Sequence, residues 1–154
     1  GVAFPLREVK VFLPPVEVPN IVALGQNYVE HAIESKLEPP TAPVIFLKST
    51  SSLTGHLNPI VLPAEAPSQV DYEAELTVVI GKRCKHVPLE KAKDVIFGYS
   101  CGHDVSARDC QIKLDRQWAR GKSFDTFTPM GPVIETELNP ENLRIQLRLN
   151  GKTM

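Results

Sequence analysis

The stretch Asp71-Tyr72-Glu73-Ala74-Glu75-Leu76-Thr77-Val78-Val79-Ile80 constrains this chain more than any other. Its second half is β-branched and apolar, the composition of a buried strand. Alternate side chains of a strand share a face, so Asp71, Glu73 and Glu75 are expected in a row, roughly 6.5–7 Å apart, with Tyr72, Ala74, Leu76 and Val78 opposite. Carboxylates aligned on a strand that enters a core repel one another. Burial then either raises their pKa values or demands a cation. With no His or Cys beside them, they suit a hard, oxygen-seeking ion such as Mg²⁺, Mn²⁺ or Ca²⁺. The same residues would also serve an exposed edge strand that uses charge against aggregation.

A length of 154 residues favours one domain with a real core. A net charge of −1 offers no electrostatic reason to expect nucleic acid or an anionic membrane as partner. No apolar run approaches the length of a transmembrane helix. The first residues lack the layout of a signal peptide, and the missing initiator Met suggests a trimmed start. Cys84, Cys101 and Cys110 are odd in number and form no C-x-x-C pair. That argues against a disulfide framework or a structural zinc site and for a reducing intracellular home, with each cysteine a small buried side chain.

Along the chain, the prolines of residues 4–19 keep an extended lead-in, with a short strand expected near Val9–Leu13. Asn20–Leu24 and Val44–Leu47 read as strands, the second delivering Lys48, Ser49 and Thr50. Between them, Asn27–Lys36 has helical spacing with Asn27 as N-cap. On that helix His31 and Glu34 share a face, so the carboxylate could orient the imidazole as a base; an ordinary surface pair has the same spacing. The proline-rich loop 37–43 could be a lid. Ile60–Leu62 reads as another strand, Leu89–Val95 as a short helix, and Ile96–Cys101 as a strand that runs into Gly102, His103 and Asp104. A carboxylate at that strand end can meet those of the first. Ser106 is expected to cap a helix through Leu114. Arg108 and Gln111 on one face of it suit a substrate carboxylate or keto oxygen, or a solvated surface. Lys122, between Gly121 and Ser123, reads as a loop cation or a site residue. Leu143–Leu149 alternates as a half-buried strand. Asn150-Gly151 then announces a hairpin with no room for a return strand.

Taken together, Gly25-Gln26-Asn27-Tyr28 with His31 and Glu34, Phe46-Leu47-Lys48, Asp71-Tyr72-Glu73-Ala74-Glu75-Leu76, His103-Asp104-Val105-Ser106-Ala107-Arg108-Asp109 and Gly121-Lys122-Ser123-Phe124-Asp125 resemble the fumarylacetoacetate hydrolase family. The motifs occur in the family's order. Each is common alone, and jointly they are specific. The resemblance implies an α+β, mostly β fold, a mixed β-roll or barrel with short flanking helices. Residues 1–19 would be the lead-in and 20–154 a partial catalytic domain. The family continues past this point with further strands and a Thr-Gly-Thr-Pro type loop, so the C-terminal strands of the roll are expected to be missing and an edge left open.

The resemblance also implies Mg²⁺ (or Mn²⁺, with Ca²⁺ admissible) held by Glu73, Glu75 and Asp104, Asp71 being no ligand. It makes Lys122 the stabiliser of an enolate, His31 and Glu34 a dyad on a lid helix, and Arg108 and Gln111 substrate contacts. The implied activity is metal-dependent chemistry on a small 2-oxo acid or 1,3-dicarbonyl through a metal-bound enolate, foremost oxaloacetate enol–keto tautomerisation. Acylpyruvate- or fumarylacetoacetate-type C–C bond hydrolysis and oxaloacetate decarboxylation are the alternatives. A truncated, non-catalytic relative is the alternative of another class. The partner is then a small-molecule 2-oxo acid, the assembly a homodimer, and the location the mitochondrial matrix or cytoplasm.

Overall fold

The computed structural model describes residues 5–28 and 40–154. His31, Glu34, residues 29–36 of the expected helix and residues 37–39 of the expected loop lie outside the described residues. What is described is mostly β, as expected, built from two-stranded pairings with a few short helical turns, and its strands close no barrel.

Strands β1 (Ile21–Gly25) and β2 (Val44–Lys48) pair antiparallel. β3 (Leu53–Thr54) runs parallel to β8 (Thr128–Pro129). β4 (Val70–Asp71) pairs antiparallel with β7 (Ser106–Ala107), and β5 (Ala74–Ile80) with β6 (Ile96–His103). A hairpin of β9 (Arg148–Leu149) and β10 (Lys152–Thr153) ends the chain. The core is small: Ala66, Val105, Ala107, Cys110 and Phe127, with Ile60, Val70 and Phe124 packed on it. Burial of those apolar side chains ties the β4–β7 pair to the turn that carries Phe124 and Phe127, whose rings meet edge to face at 5.5 Å.

The central stretch is not one strand. It pairs with β7 as far as Asp71, then with β6 from Ala74, and Tyr72-Glu73 spans the change of partner. The second strand breaks at the same level, where Asp104-Val105 separates β6 from β7. The Asp104 amide donates to the Glu73 carbonyl at 2.9 Å and closes the gap between the two breaks. Local propensity favours one continuous strand here; the bend comes from pairing with two successive partners, which local sequence does not encode.

Other expectations change too. Ser106 caps no helix, because it sits in β7. The following turn, Asp109–Leu114, winds with a π-helical bond from the Asp115 amide to the Cys110 carbonyl at 3.1 Å. Lys122 is not in a loop; it ends helix α1 (Ala119–Lys122). Among the described residues, Val9–Leu13 and Ile60–Leu62 pair with nothing as strands. The lead-in is nonetheless extended, alternating in burial, and Asn58 Nδ2 donates to the Phe12 carbonyl at 3.1 Å. Only the end of Leu143–Leu149 becomes a strand, and its residues are mostly exposed. The hairpin does return: Asn150 and Gly151 take φ of 51° and 80°, the left-handed pair a tight turn needs, and a two-residue strand follows. Cys110 is buried as expected, whereas Cys84 and Cys101 are exposed; all are free thiols. Among the described residues, no helix is long and apolar enough to cross a membrane.

Candidate metal centre

The paired strand breaks bring carboxylates together from distant parts of the chain. Glu73 lies in the first break, Glu75 is the second residue of β5, and Asp104 lies in the second break. Each offers an oxygen within 4.8 Å of the others. Asp71 does not join them; it is exposed and bonded to Arg108 Nε at 2.8 Å.

Positive side chains close around this group. Asp104 is 6% exposed, and a buried lysine sits on each of its oxygens: Lys48 Nζ on Oδ1, and Lys122 Nζ on Oδ2 at 2.6 Å. Lys122 also donates to Glu73 Oε2 at 2.9 Å, and Lys48 to the Phe127 carbonyl at 2.9 Å. Glu73 Oε1 receives Arg108 at 2.6 Å and the Ser106 hydroxyl at 3.1 Å. The position of Lys122 depends on Gly121. A Cβ there would lie 2.8 Å from the Gln111 amide nitrogen and 2.9 Å from the Ala107 carbonyl, so only glycine lets α1 pack against that backbone.

Arg108 and Gln111 are neighbours, as helical spacing suggested. The Arg108 guanidinium donates to Gln111 Oε1 at 2.7 Å while also gripping Asp71 and Glu73. In this structure its nitrogens all serve protein partners. Burial pulls the guanidinium pKa down, and the two carboxylates outweigh that and hold it above its ordinary value.

Glu75 differs from its two neighbours. No side-chain hydrogen bond reaches its carboxylate among the described residues. Burial first, then the negative charges of Asp104 and Glu73, raise its pKa to about 7. Burial pushes Lys48 below its usual value against the pull of Asp104. Burial and then Lys48 likewise lower the His103 imidazole. The Nε2 of His103 is buried with no hydrogen-bond partner among the described residues.

The donor set fits a hard divalent ion. All three groups offer carboxylate oxygens, and among the described residues no thiol or imidazole belongs to the set and Glu75 makes no ion pair of its own, so burial and its acidic neighbours outweigh the nearby lysines. A cavity of about 580 Å³ opens beside it. Its walls are largely apolar, from β1 and β5, while Lys48, Glu75 and Asp104 bring polar atoms to it.

Sequence reasoning did not single out Lys48, Ser106 or Tyr28 for this neighbourhood. Tyr28 accepts the Leu76 amide proton on its hydroxyl at 3.0 Å, and burial raises its pKa. Lys48 had a usable signal. Val44, Phe46 and Lys48 share a strand face, Phe46 and Lys48 are 6% and 5% exposed, and a lysine continuing an inward apolar face requires a buried anion.

Comparison with known proteins assigns the chain to a family. The family model described as "Fumarylacetoacetate (FAA) hydrolase C-terminal" matches residues 20–154. The chain belongs to the fumarylacetoacetate hydrolase family. It is 48% identical over its whole length to an uncharacterised protein of Archaeoglobus fulgidus, 60% of which it covers. Over 96% of its length it is 43% identical to the mitochondrial oxaloacetate tautomerase FAHD2A of Homo sapiens, covering 48% of that protein. Among solved structures, the 5-carboxymethyl-2-hydroxymuconate delta-isomerase of Mycobacterium smegmatis superposes with a TM-score of 0.88 at 44% identity, over 99% of this chain and 60% of that one. The chain therefore spans about half to three fifths of the length of these relatives.

Proposed function

We propose that residues 20–154 are part of the catalytic domain of a divalent-metal-dependent enzyme acting on a small 2-oxo acid or 1,3-dicarbonyl, most specifically the enol–keto tautomerisation of oxaloacetate. The observation that carries this reading is the convergence of Glu73, Glu75 and Asp104 with Lys48 and Lys122 beside the cavity. Glu73, Glu75 and Asp104 would hold Mg²⁺ or Mn²⁺. A divalent ion there supplies Lewis acidity toward the oxygens of a 2-oxo acid.

The protein's own groups take the remaining tasks. Lys122, whose ammonium bridges Glu73 and Asp104, places positive charge where an enolate oxygen develops. Lys48 holds the other oxygen of Asp104 and keeps that carboxylate in place. Arg108, steadied by Gln111, holds Glu73, and the pair would contact the far end of the substrate. By the family resemblance, His31 and Glu34 would act as the dyad that carries the proton between the enol oxygen and the adjacent carbon. The largely apolar walls offer few partners to hold a water, which would favour proton transfer over hydrolysis. The names of the human tautomerase and the mycobacterial isomerase support isomerisation ahead of C–C bond cleavage or decarboxylation. We further propose a homodimer, as the family resemblance implies, in the mitochondrial matrix, which the human relative's name supports, or in the cytoplasm.

Two measurements test the reading. Calorimetric titration of this chain with Mn²⁺ should show binding that the double variant Glu73→Gln, Asp104→Asn lacks. Proton NMR of oxaloacetate with the protein and Mg²⁺ should show accelerated enol-to-keto conversion without pyruvate. Pyruvate formation, or cleavage of an acylpyruvate in its place, would replace tautomerisation with the alternative chemistry. Binding without any turnover would favour a non-catalytic role.

A further inference from the structure

We infer that Trp118 is a positioning residue for Lys122, holding the ammonium in place through Phe46 and locking it to the end of β1. The inference rests on the role proposed above for Lys122.

Trp118 is the chain's sole tryptophan and immediately precedes α1. The Lys122 amide donates to its carbonyl at 3.2 Å, so one turn of helix sets the separation of the two residues. The indole meets the Phe46 ring edge to face, with centroids 5.7 Å apart and planes at 70°. Phe46 is buried on the inward face of β2, and its ring in turn lies 5.3 Å from Lys122 Nζ. That nitrogen holds Glu73 and Asp104. On its other side the indole is seated against Gly25, the last residue of β1. A Cβ there would collide with Cζ3 and lie 3.2 Å from Cη2. The next residue, Gln26, turns the chain with a φ of 54°.

A physical reason makes this more than packing. A lysine ammonium sits on a flexible four-carbon stem and has no preferred direction of its own. Two carboxylates attract Lys122, and either could draw it off the position between them. The electron-rich face of Phe46 limits that movement, and the perpendicular indole limits rotation of Phe46. Replacing the indole with an aliphatic group of similar apolarity keeps burial and removes the ring-on-ring stop. The ammonium then loses its fixed place while the carboxylates remain. Misplacement on that scale should lower kcat about 10–100-fold and leave KM nearly unchanged.

The test reads the ammonium directly. With ¹⁵N-lysine-labelled protein, the Lys48 and Lys122 ammonium signals are assigned by Lys48→Met and Lys122→Met, then followed in Trp118→Leu and Trp118→Phe. The expected result is a shifted or broadened Lys122 signal in Trp118→Leu, an unmoved Lys48 signal, and recovery of the Lys122 signal in Trp118→Phe. An unmoved Lys122 signal in Trp118→Leu overturns the inference. If both lysine signals vanish in Trp118→Leu because the site collapses, Trp118→Phe decides. Return of both signals there supports the aromatic stop, and continued loss of both counts against it. No substrate or metal is needed for this readout. Failure of the proposed activity therefore shows up separately, as absent turnover by the parent protein.

Discussion

The carboxylate–lysine cluster and the C-terminal segment 143–154 reverse the usual division between inside and outside. In the first, Lys48, Asp104 and Lys122 are 5%, 6% and 2% exposed. In the second, the apolar residues Leu143, Ile145 and Leu149 are 37%, 41% and 45% exposed. Burial in this protein follows the availability of a partner more than polarity. The charged residues went inside because opposite charges meet there within hydrogen-bond distance. The apolar ones stay partly exposed because Leu143 and Ile145 face the cavity rather than a packed surface, and Leu149 lies in the terminal hairpin. A buried charge without its partner is far costlier than an exposed leucine, so the two regions should respond very differently to substitution.

The largest effect should come from Asp104→Ala. It leaves two buried lysines sharing what had been their common anion, and urea melts should show a loss of about 3–5 kcal/mol. Mn²⁺ binding should disappear with it. A loss below about 1 kcal/mol would mean that water screens this site as it does a surface pair.

Lys122→Met should act on chemistry more than on folding. Glu73 keeps Arg108 and Ser106, and Asp104 keeps Lys48. Turnover should fall about 10²–10³-fold, the usual cost of removing one group that stabilises a developing oxyanion, with Mn²⁺ binding retained. Steady-state kinetics beside calorimetry would check both halves of that statement.

The pH dependence turns on Glu75. Its folded-state pKa of about 7 lies above the ordinary 4.5, so the folded protein holds this proton more tightly than the unfolded chain does. The metal-free protein should therefore lose stability as pH rises from 4.5 through 7, and Glu75→Gln should flatten that part of the curve. A divalent ion must displace the same proton. Mn²⁺ affinity should fall roughly tenfold for each pH unit below 7 and level off above it. Calorimetry at a series of pH values checks the slope, and an affinity constant between pH 5 and 8 would contradict it.

The smallest effect belongs to the other region. Leu149→Ala and Ile145→Ser should each change stability by less than about 0.5 kcal/mol in urea melts of this chain. A larger loss would show that the segment is covered in solution, and the contrast between the two regions would narrow.

Much of the site was legible in the sequence. Glu73, Glu75 and Asp104 were expected to meet, because acids alternate into an apolar strand and another acid ends the next such strand; the structure brings them together. Local reasoning failed where one side chain's neighbours depend on a distant segment. Ser106 looked like a helix cap, since serine favours that position, but it pairs in β7 and donates to Glu73. Asp71 looked like a third member of the acidic row and instead faces Arg108, because the change of pairing partner at Tyr72-Glu73 separates it from Glu75. The strand of Leu143–Leu149 was read from a strict alternation that is present in the sequence, yet alternation builds a half-buried strand only when a sheet receives it.

By itself, then, the sequence determined which chemical groups are available, how the strands alternate, and that a set of oxygen donors sits among β-forming residues. Long-range pairing decided that both strands break at one level, that Lys48 and Lys122 share Asp104, and that Glu75 makes no ion pair of its own among the described residues. The reason is physical. Spacing along a chain sets which side chains share a face, whereas the field at a buried carboxylate is set by groups brought close through long-range pairing. Asp104 lies 56 residues from Lys48 and 18 from Lys122.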